Sequence, residues 1–118
     1  MPQIRIIVGD RVIDAELNDS ATARDLAARL PLTLPFRDFG GQEKVADLDP
    51  PLTMDGVPSG DDPDANDIGY YAPTRALVLY CADVGHYEGI VRLGRVAVDD
   101  MAFLRDQPDG FTATIQAG

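Results

Sequence analysis

Few residues in this chain are equipped for chemistry. One histidine (His86), one cysteine (Cys81) and two serines (Ser20 and Ser59) occur in 118 residues. His86 stands between Gly85 and Tyr87 and has Asp83 and Glu88 nearby as orienting carboxylates, an arrangement suited to acid or base work near neutral pH. Cys81 ends the apolar run Ala76-Leu77-Val78-Leu79-Tyr80, where a thiol is expected to be inert core rather than a nucleophile. With one cysteine and one histidine, neither an internal disulfide nor a zinc set is expected, and no metal or cofactor is anticipated. Asp62, Asp64 and Asn66 alternate like the first ligands of a calcium loop. That loop then needs Gly and, later, a bidentate Glu where this chain has Asp67 and Pro73, so a surface turn is expected. Gly-x-Ser-x-Gly, the phosphate-binding P-loop and Gly-x-Gly-x-x-Gly are all absent, which leaves no machinery for acyl transfer or nucleotide chemistry.

The tyrosines Tyr70, Tyr71, Tyr80 and Tyr87 are the more informative group. Tyr70 and Tyr71 are neighbours in a strand-like stretch, so one faces the core and the other faces out. An aromatic wall beside a cationic anchor would hold a small acidic or peptide ligand. The expected site is Tyr71, Arg75, His86, Tyr87 and Arg92, in a cleft at the barrel mouth bordered by the long Pro/Asp loop and the His86 loop.

The net charge is −10, with nine Arg and Lys44 scattered along the chain. A polyanion needs a basic stripe, so neither nucleic acid nor an anionic membrane surface is an expected partner. The chain opens Met-Pro-Gln-Ile-Arg and has no apolar stretch of membrane-spanning length, which predicts a soluble, cytoplasmic protein.

Positioning these residues falls to many short strands. Gln3–Val8 and Arg11–Leu17 alternate around Gly9-Asp10 and predict a tight hairpin. Asn18-Asp19-Ser20 is a turn and cap cluster leading into a helix predicted over 21–29, with Thr22 and Asp25 as a capping box and Pro31 as its stop. Strands follow over 32–39, where Pro35 favours an edge, and over 42–48. Residues 49–66 are a long loop pinned by Leu52, Met54 and Val57. Strands over 68–72 and 76–82 flank Pro73-Thr74-Arg75, and the second, apolar on both faces, is expected to be central. After a loop over 83–89 come a strand over 90–98 with a bulge at Gly94, a short helix over 101–105 capped by Asp99-Asp100, and a closing strand over 111–115. About eight short strands and two short helices in a single domain, 1–118, form a barrel pattern.

Several stretches in order now point to a family. They are Thr22-Ala23-Arg24-Asp25-Leu26-Ala27, Leu30-Pro31-Leu32-Thr33-Leu34, Glu43-Lys44-Val45-Ala46-Asp47-Leu48, Asn66-Asp67-Ile68-Gly69-Tyr70-Tyr71-Ala72-Pro73, Leu77 to Tyr80, and Arg92-Leu93-Gly94-Arg95. The series resembles a bacterial family of small cyclophilin-like proteins of unestablished function. The resemblance implies a mostly β fold, a closed eight-stranded cyclophilin-like β-barrel with two short capping helices. Cyclophilins proper carry Phe-His-Arg and a later Gln-Gly-Gly-Asp, with the Arg placed at the prolyl nitrogen. Phe36-Arg37 and Gly40-Gly41-Gln42 only partly echo that set, so prolyl isomerase activity does not carry over. The expected function is a non-enzymatic small-ligand or peptide-binding module. The alternatives are a peptidyl-prolyl isomerase or related small enzyme, and a homo-oligomeric structural subunit using an outward stripe of Val91, Leu93 and Ala97.

Overall fold

The computed structural model describes residues 2–118. Its strands are β1 (Gln3–Val8), β2 (Arg11–Leu17), β3 (Leu32–Phe39), β4 (Glu43–Asp47), β5 (Gly60–Asp61), β6 (Asp67–Tyr71), β7 (Ala76–Tyr80), β8 (Tyr87–Glu88), β9 (Ile90–Val96) and β10 (Phe111–Ala117). Eight of them close a barrel in the order β1-β10-β3-β4-β7-β6-β9-β2, and β5 and β8 form a separate two-stranded ribbon. All the pairings are antiparallel. Closure leaves no barrel edge open to another chain.

Alternation decides what fills the barrel. Ile4 and Ile6, Ile13 and Leu17, Ile68 and Tyr70, Leu77 and Leu79, and Val91 and Leu93 point into one continuous core. Helix α1 (Ala21–Ala28) adds Ala23 and Leu26 to that core, and α2 (Val98–Arg105) adds Met101 and Leu104. The interior is therefore packed with side chains. Phe36 stacks on Phe111 with ring centroids 5.3 Å apart, which joins β3 to β10 from inside.

The helix starts follow the sequence expectation only in part. Ser20, in the expected cap cluster, caps α1, its hydroxyl accepting from Ala23 N at 3.1 Å, whereas the Thr22–Asp25 capping box does not form. Thr22 is buried and donates to the Thr53 carbonyl at 2.6 Å, while Asp25 accepts from Thr53 N at 2.8 Å. The expected capping pair thus fastens the long loop. Leu52 is buried in the core, its amide donates to the Tyr70 hydroxyl, and Met54 and Val57 pack beside it. Helix α2 begins three residues earlier than expected, at Val98, with Asp99 and Asp100 in its first turn rather than at the cap. Negative charge at that end suits the helix dipole.

Pro35 sits where β3 changes partners. Leu32–Phe36 pair with β10 and Arg37–Phe39 with β4, so the proline lies in a half-strand with one ladder, locally an edge inside a closed barrel. The bulge expected near Gly94 is present: Ile68 pairs with Gly94 and Gly69 with Arg92, leaving Leu93 as the extra residue. A Cβ on Gly94 would lie 2.1 Å from the Glu16 carbonyl oxygen, so the close β2–β9 approach requires glycine there. The outward stripe of Val91, Leu93 and Ala97 does not exist. Val91 and Leu93 face the core, because the bulge sets the strand's phase, and only Ala97 is exposed. No helix among the described residues is long and apolar enough to cross a membrane.

Candidate functional site

The same alternation that fills the barrel builds a second apolar face on its outside. Val45, Ala76, Val78, Tyr80 and Ile90 form a separate buried cluster, with Tyr71 and Val84 packed against it. The register across β3, β4, β7, β6 and β9 arranges this face in rows. Phe39, Glu43 and Tyr80 lie side by side in one row. Arg37, Val45, Val78 and Gly69 form the next, and Asp47, Ala76, Tyr71 and Ile90 the third.

Gly69 makes the middle of this face concave. A Cβ there would fall 2.6 Å from Tyr80 Cε2, so the missing side chain lets the Tyr80 ring lie across β6. Tyr71 follows Gly69 by two and closes the far side. After it, Ala72–Thr74 make one 3-10 turn that ends on Arg75 in the left-handed region.

The result is a groove of about 420 Å³. Its floor is Val45, Ala76, Val78, Tyr80 and Ile90, and its walls are Phe39, Tyr71, Val84 and Tyr87. Arg37, Gln42, Glu43 and Thr74 supply the polar rim. The volume lies within the roughly 300–1,000 Å³ of small-molecule sites. Two of the wall aromatics are largely solvent-exposed, Phe39 at 63% and Tyr87 at 56%.

Tyr87 is held over the groove by the β5–β8 ribbon, which pairs Asp61 with Tyr87 and Gly60 with Glu88. Hydrogen bonds from Gly89 N to the Ser59 carbonyl (2.6 Å) and from Ala72 N to the Gly89 carbonyl (2.9 Å) tie the ribbon to the β6–β7 turn. Both loops flagged by the sequence therefore contain a short strand, and neither has the periodicity that would have announced it.

The charged groups of the rim differ in how they are satisfied. Arg37 Nη1 reaches the Asp47 carboxylate at 3.2 Å. Lys44, next in sequence to Glu43, points to the other face and is buried on the Asp38 carboxylate and the Gln107 carbonyl. Glu43 has neither an ion pair nor a side-chain hydrogen bond among the described residues, and burial raises its pKa above the ordinary carboxylate value. The Tyr80 hydroxyl is a buried polar atom with no hydrogen-bond partner among the described residues. Burial, then the nearby Glu43 carboxylate, pushes its pKa well up, so the phenol keeps its proton throughout the neutral range.

Of the five residues expected at the site, the structure brings Tyr71 and Tyr87 into one groove. Arg75, His86 and Arg92 do not line it. Arg75 is exposed beside Asp49, with Nη1 and the carboxylate 3.7 Å apart. His86 is exposed on the outer side of the ribbon, where its Cε1 would lie 2.9 Å from a Cβ on Gly60. Arg92 is clasped by Asp67 at 3.0 Å and Asp64 at 2.7 Å. Burial would lower its pKa, but those two carboxylates raise it. Of the Asp62-Asp64-Asn66 stretch, Asp64 thus serves an arginine clamp together with Asp67, which is also 3.4 Å from Arg95. The groove lies on the barrel wall and not in its mouth, because core side chains fill the interior. Its cation is Arg37, a residue the sequence offered only as an echo of the isomerase pattern. Cys81 lies just beyond β7 and is half-buried rather than in the core, and burial raises its thiol pKa.

The sequence pattern of the cyclophilin-like family matches residues 6–116. The chain belongs to this family. A solved structure, the solution structure of a hypothetical protein from Archaeoglobus fulgidus, superposes with a TM-score of 0.72 at 17% identity. The match covers 99% of this chain and 95% of the archaeal one. At that identity the likeness is one of fold. No curated protein sequence matches the chain.

Proposed function

We propose that this cyclophilin-like barrel is a non-enzymatic binding module whose site is the outer-wall groove, and that it takes a small ligand or a short peptide segment. The observation that carries the reading is the apolar, aromatic-walled groove of about 420 Å³ with Phe39 and Tyr87 left exposed at its rim. Exposed aromatic rings beside an already formed apolar floor lose water on binding at little conformational cost. The groove holds no nucleophile and base in contact: Cys81 and His86 lie outside it. Chemical-shift mapping with a panel of aryl and aliphatic fragments tests the reading. Perturbations are expected at Val78, Tyr71, Tyr80 and Ile90. Perturbations confined to the barrel ends would overturn it.

One observation favours a second reading. Arg37 reaches the rim of the same groove, so an arginine does stand beside an apolar surface, as prolyl isomerisation requires. An isomerisation assay on a proline-containing model peptide separates the two. Activity lost in Arg37→Ala supports the isomerase, and no activity in the wild-type protein supports the binding module.

A further inference from the structure

On the reading of the groove as a binding site, we infer that its ligand is a small organic cation, a protonated amine carried on a short apolar stem. Four aromatic rings, from Phe39, Tyr71, Tyr80 and Tyr87, border one space. Aromatic faces carry negative electrostatic potential and attract cations, most strongly when the site is partly desolvated. Among these rings stands the one charged rim group without a partner. Glu43 lies between Phe39 and Tyr80 in the strand register and has no counter-charge in the described chain.

The rim cation Arg37 and the neighbouring Lys44 are engaged elsewhere, Arg37 with Asp47 and Lys44 with Asp38 and Gln107. An unpaired carboxylate in an apolar setting is costly, and an incoming ammonium group relieves that cost. The raised pKa of Glu43 agrees with a carboxylate short of partners. Tyr80, paired with Glu43 across the ladder, turns its ring over β6 and carries a second unsatisfied polar group, its buried hydroxyl, on this face. An anionic ligand would meet Glu43 with like charge while Arg37 is already neutralised by Asp47. A neutral ligand would use the floor and leave Glu43 uncompensated. The chain's net charge of −10 also raises the local concentration of cations.

Three probes of one skeleton test this at pH 7 by NMR titration: 2-phenylethylammonium, 2-phenylethanol and 3-phenylpropionate. The ammonium is expected to bind at least roughly fivefold tighter than the alcohol, the scale of a cation–π contact with a half-buried carboxylate, and the propionate weakest. Glu43→Gln should lower the ammonium's advantage over the alcohol, the remainder coming from the ring faces, with the amide spectrum reporting the fold. Phe39→Leu, at an exposed position, should weaken the ammonium more than the alcohol because apolar area is kept and the ring face is lost. Equal binding of ammonium and alcohol, or preferred binding of the propionate, overturns the cation while the groove stands. If none of the three perturbs the groove residues, the groove reading fails and the cation with it.

Discussion

The two sides of the wall formed by β4, β7, β6 and β9 are built from the same kinds of residue to opposite ends. On the inner side Leu77, Leu79, Ile68, Tyr70, Val91 and Leu93 meet other barrel residues and two helices. On the outer side Val78, Tyr80, Tyr71 and Ile90 meet no second layer, only the short β5–β8 ribbon and the loop bearing Val84. The two tyrosines buried on the two faces show the contrast best. Tyr70 on the inner face has its hydroxyl satisfied by the Leu52 amide at 3.1 Å. Tyr80 on the outer face has no partner. A satisfied hydroxyl inside and an unsatisfied one outside, among the described residues, are the contrast on which the proposed binding role rests.

The sharpest way to break this contrast is to weaken the two sides in turn. Phe36→Ala, which removes the ring stacked on Phe111 in the interior, should cost about 3–5 kcal/mol in a denaturant titration. A loss below about 1 kcal/mol would mean that the interior is not the rigid side. Gly69→Ala should cost less, about 1–3 kcal/mol, since the Tyr80 ring must move to admit a Cβ. That variant should also change fragment binding in the groove, whereas Phe36→Ala should not while the protein remains folded.

Tyr80→Phe removes a hydroxyl that bonds to nothing, so its stability should stay within about 1 kcal/mol of wild type or rise. A larger loss would show that the hydroxyl has a partner in solution. Tyr87→Ala, at an exposed rim, should change stability by less than about 0.5 kcal/mol while lowering affinity for an aryl probe. Unchanged affinity would remove Tyr87 from the site.

The smallest effect concerns pH. Burial raises the folded-state pKa of Glu43, so the folded protein holds that proton more tightly than the unfolded chain. Its contribution is fully present below the ordinary carboxylate pKa and is lost as pH rises through the raised folded value. Glu43→Gln should therefore flatten that part of the stability–pH curve and leave the protein at least as stable as wild type at neutral pH. A clear destabilisation at neutral pH would mean that the carboxylate makes a stabilising contact, and the contrast between the two faces would lose its best case.

Much of this molecule was legible in the chain because strand chemistry is local. The alternation of Ile4, Ile6 and Val8 with Ile13, Ala15 and Leu17, the turn at Gly9-Asp10 and the motif from Asn66 to Pro73 specify hairpins from neighbouring residues alone. The same locality placed Tyr70 and Tyr71 on opposite faces and pinned the long loop through Leu52. The apolar stretch Ala76–Tyr80 announced that both faces are covered. It could not say that one of those covers is a core and the other an open groove.

That choice belongs to strand order. Phe39, Glu43 and Tyr80 are separated along the chain and become one row only when β3, β4 and β7 are laid side by side. The partners of Arg37, Arg75 and Arg92 are likewise set by the closed sheet, and with them which arginine reaches the groove. Sequence determined which residues alternate and so share a face within a strand, because side-chain direction is a nearest-neighbour property, but not which way the face of β9 turns, since Val91 and Leu93 proved to point inward. Only the tertiary structure decided which faces meet, which charges are paired and which carboxylate is left alone, because those are properties of residues that the chain keeps far apart.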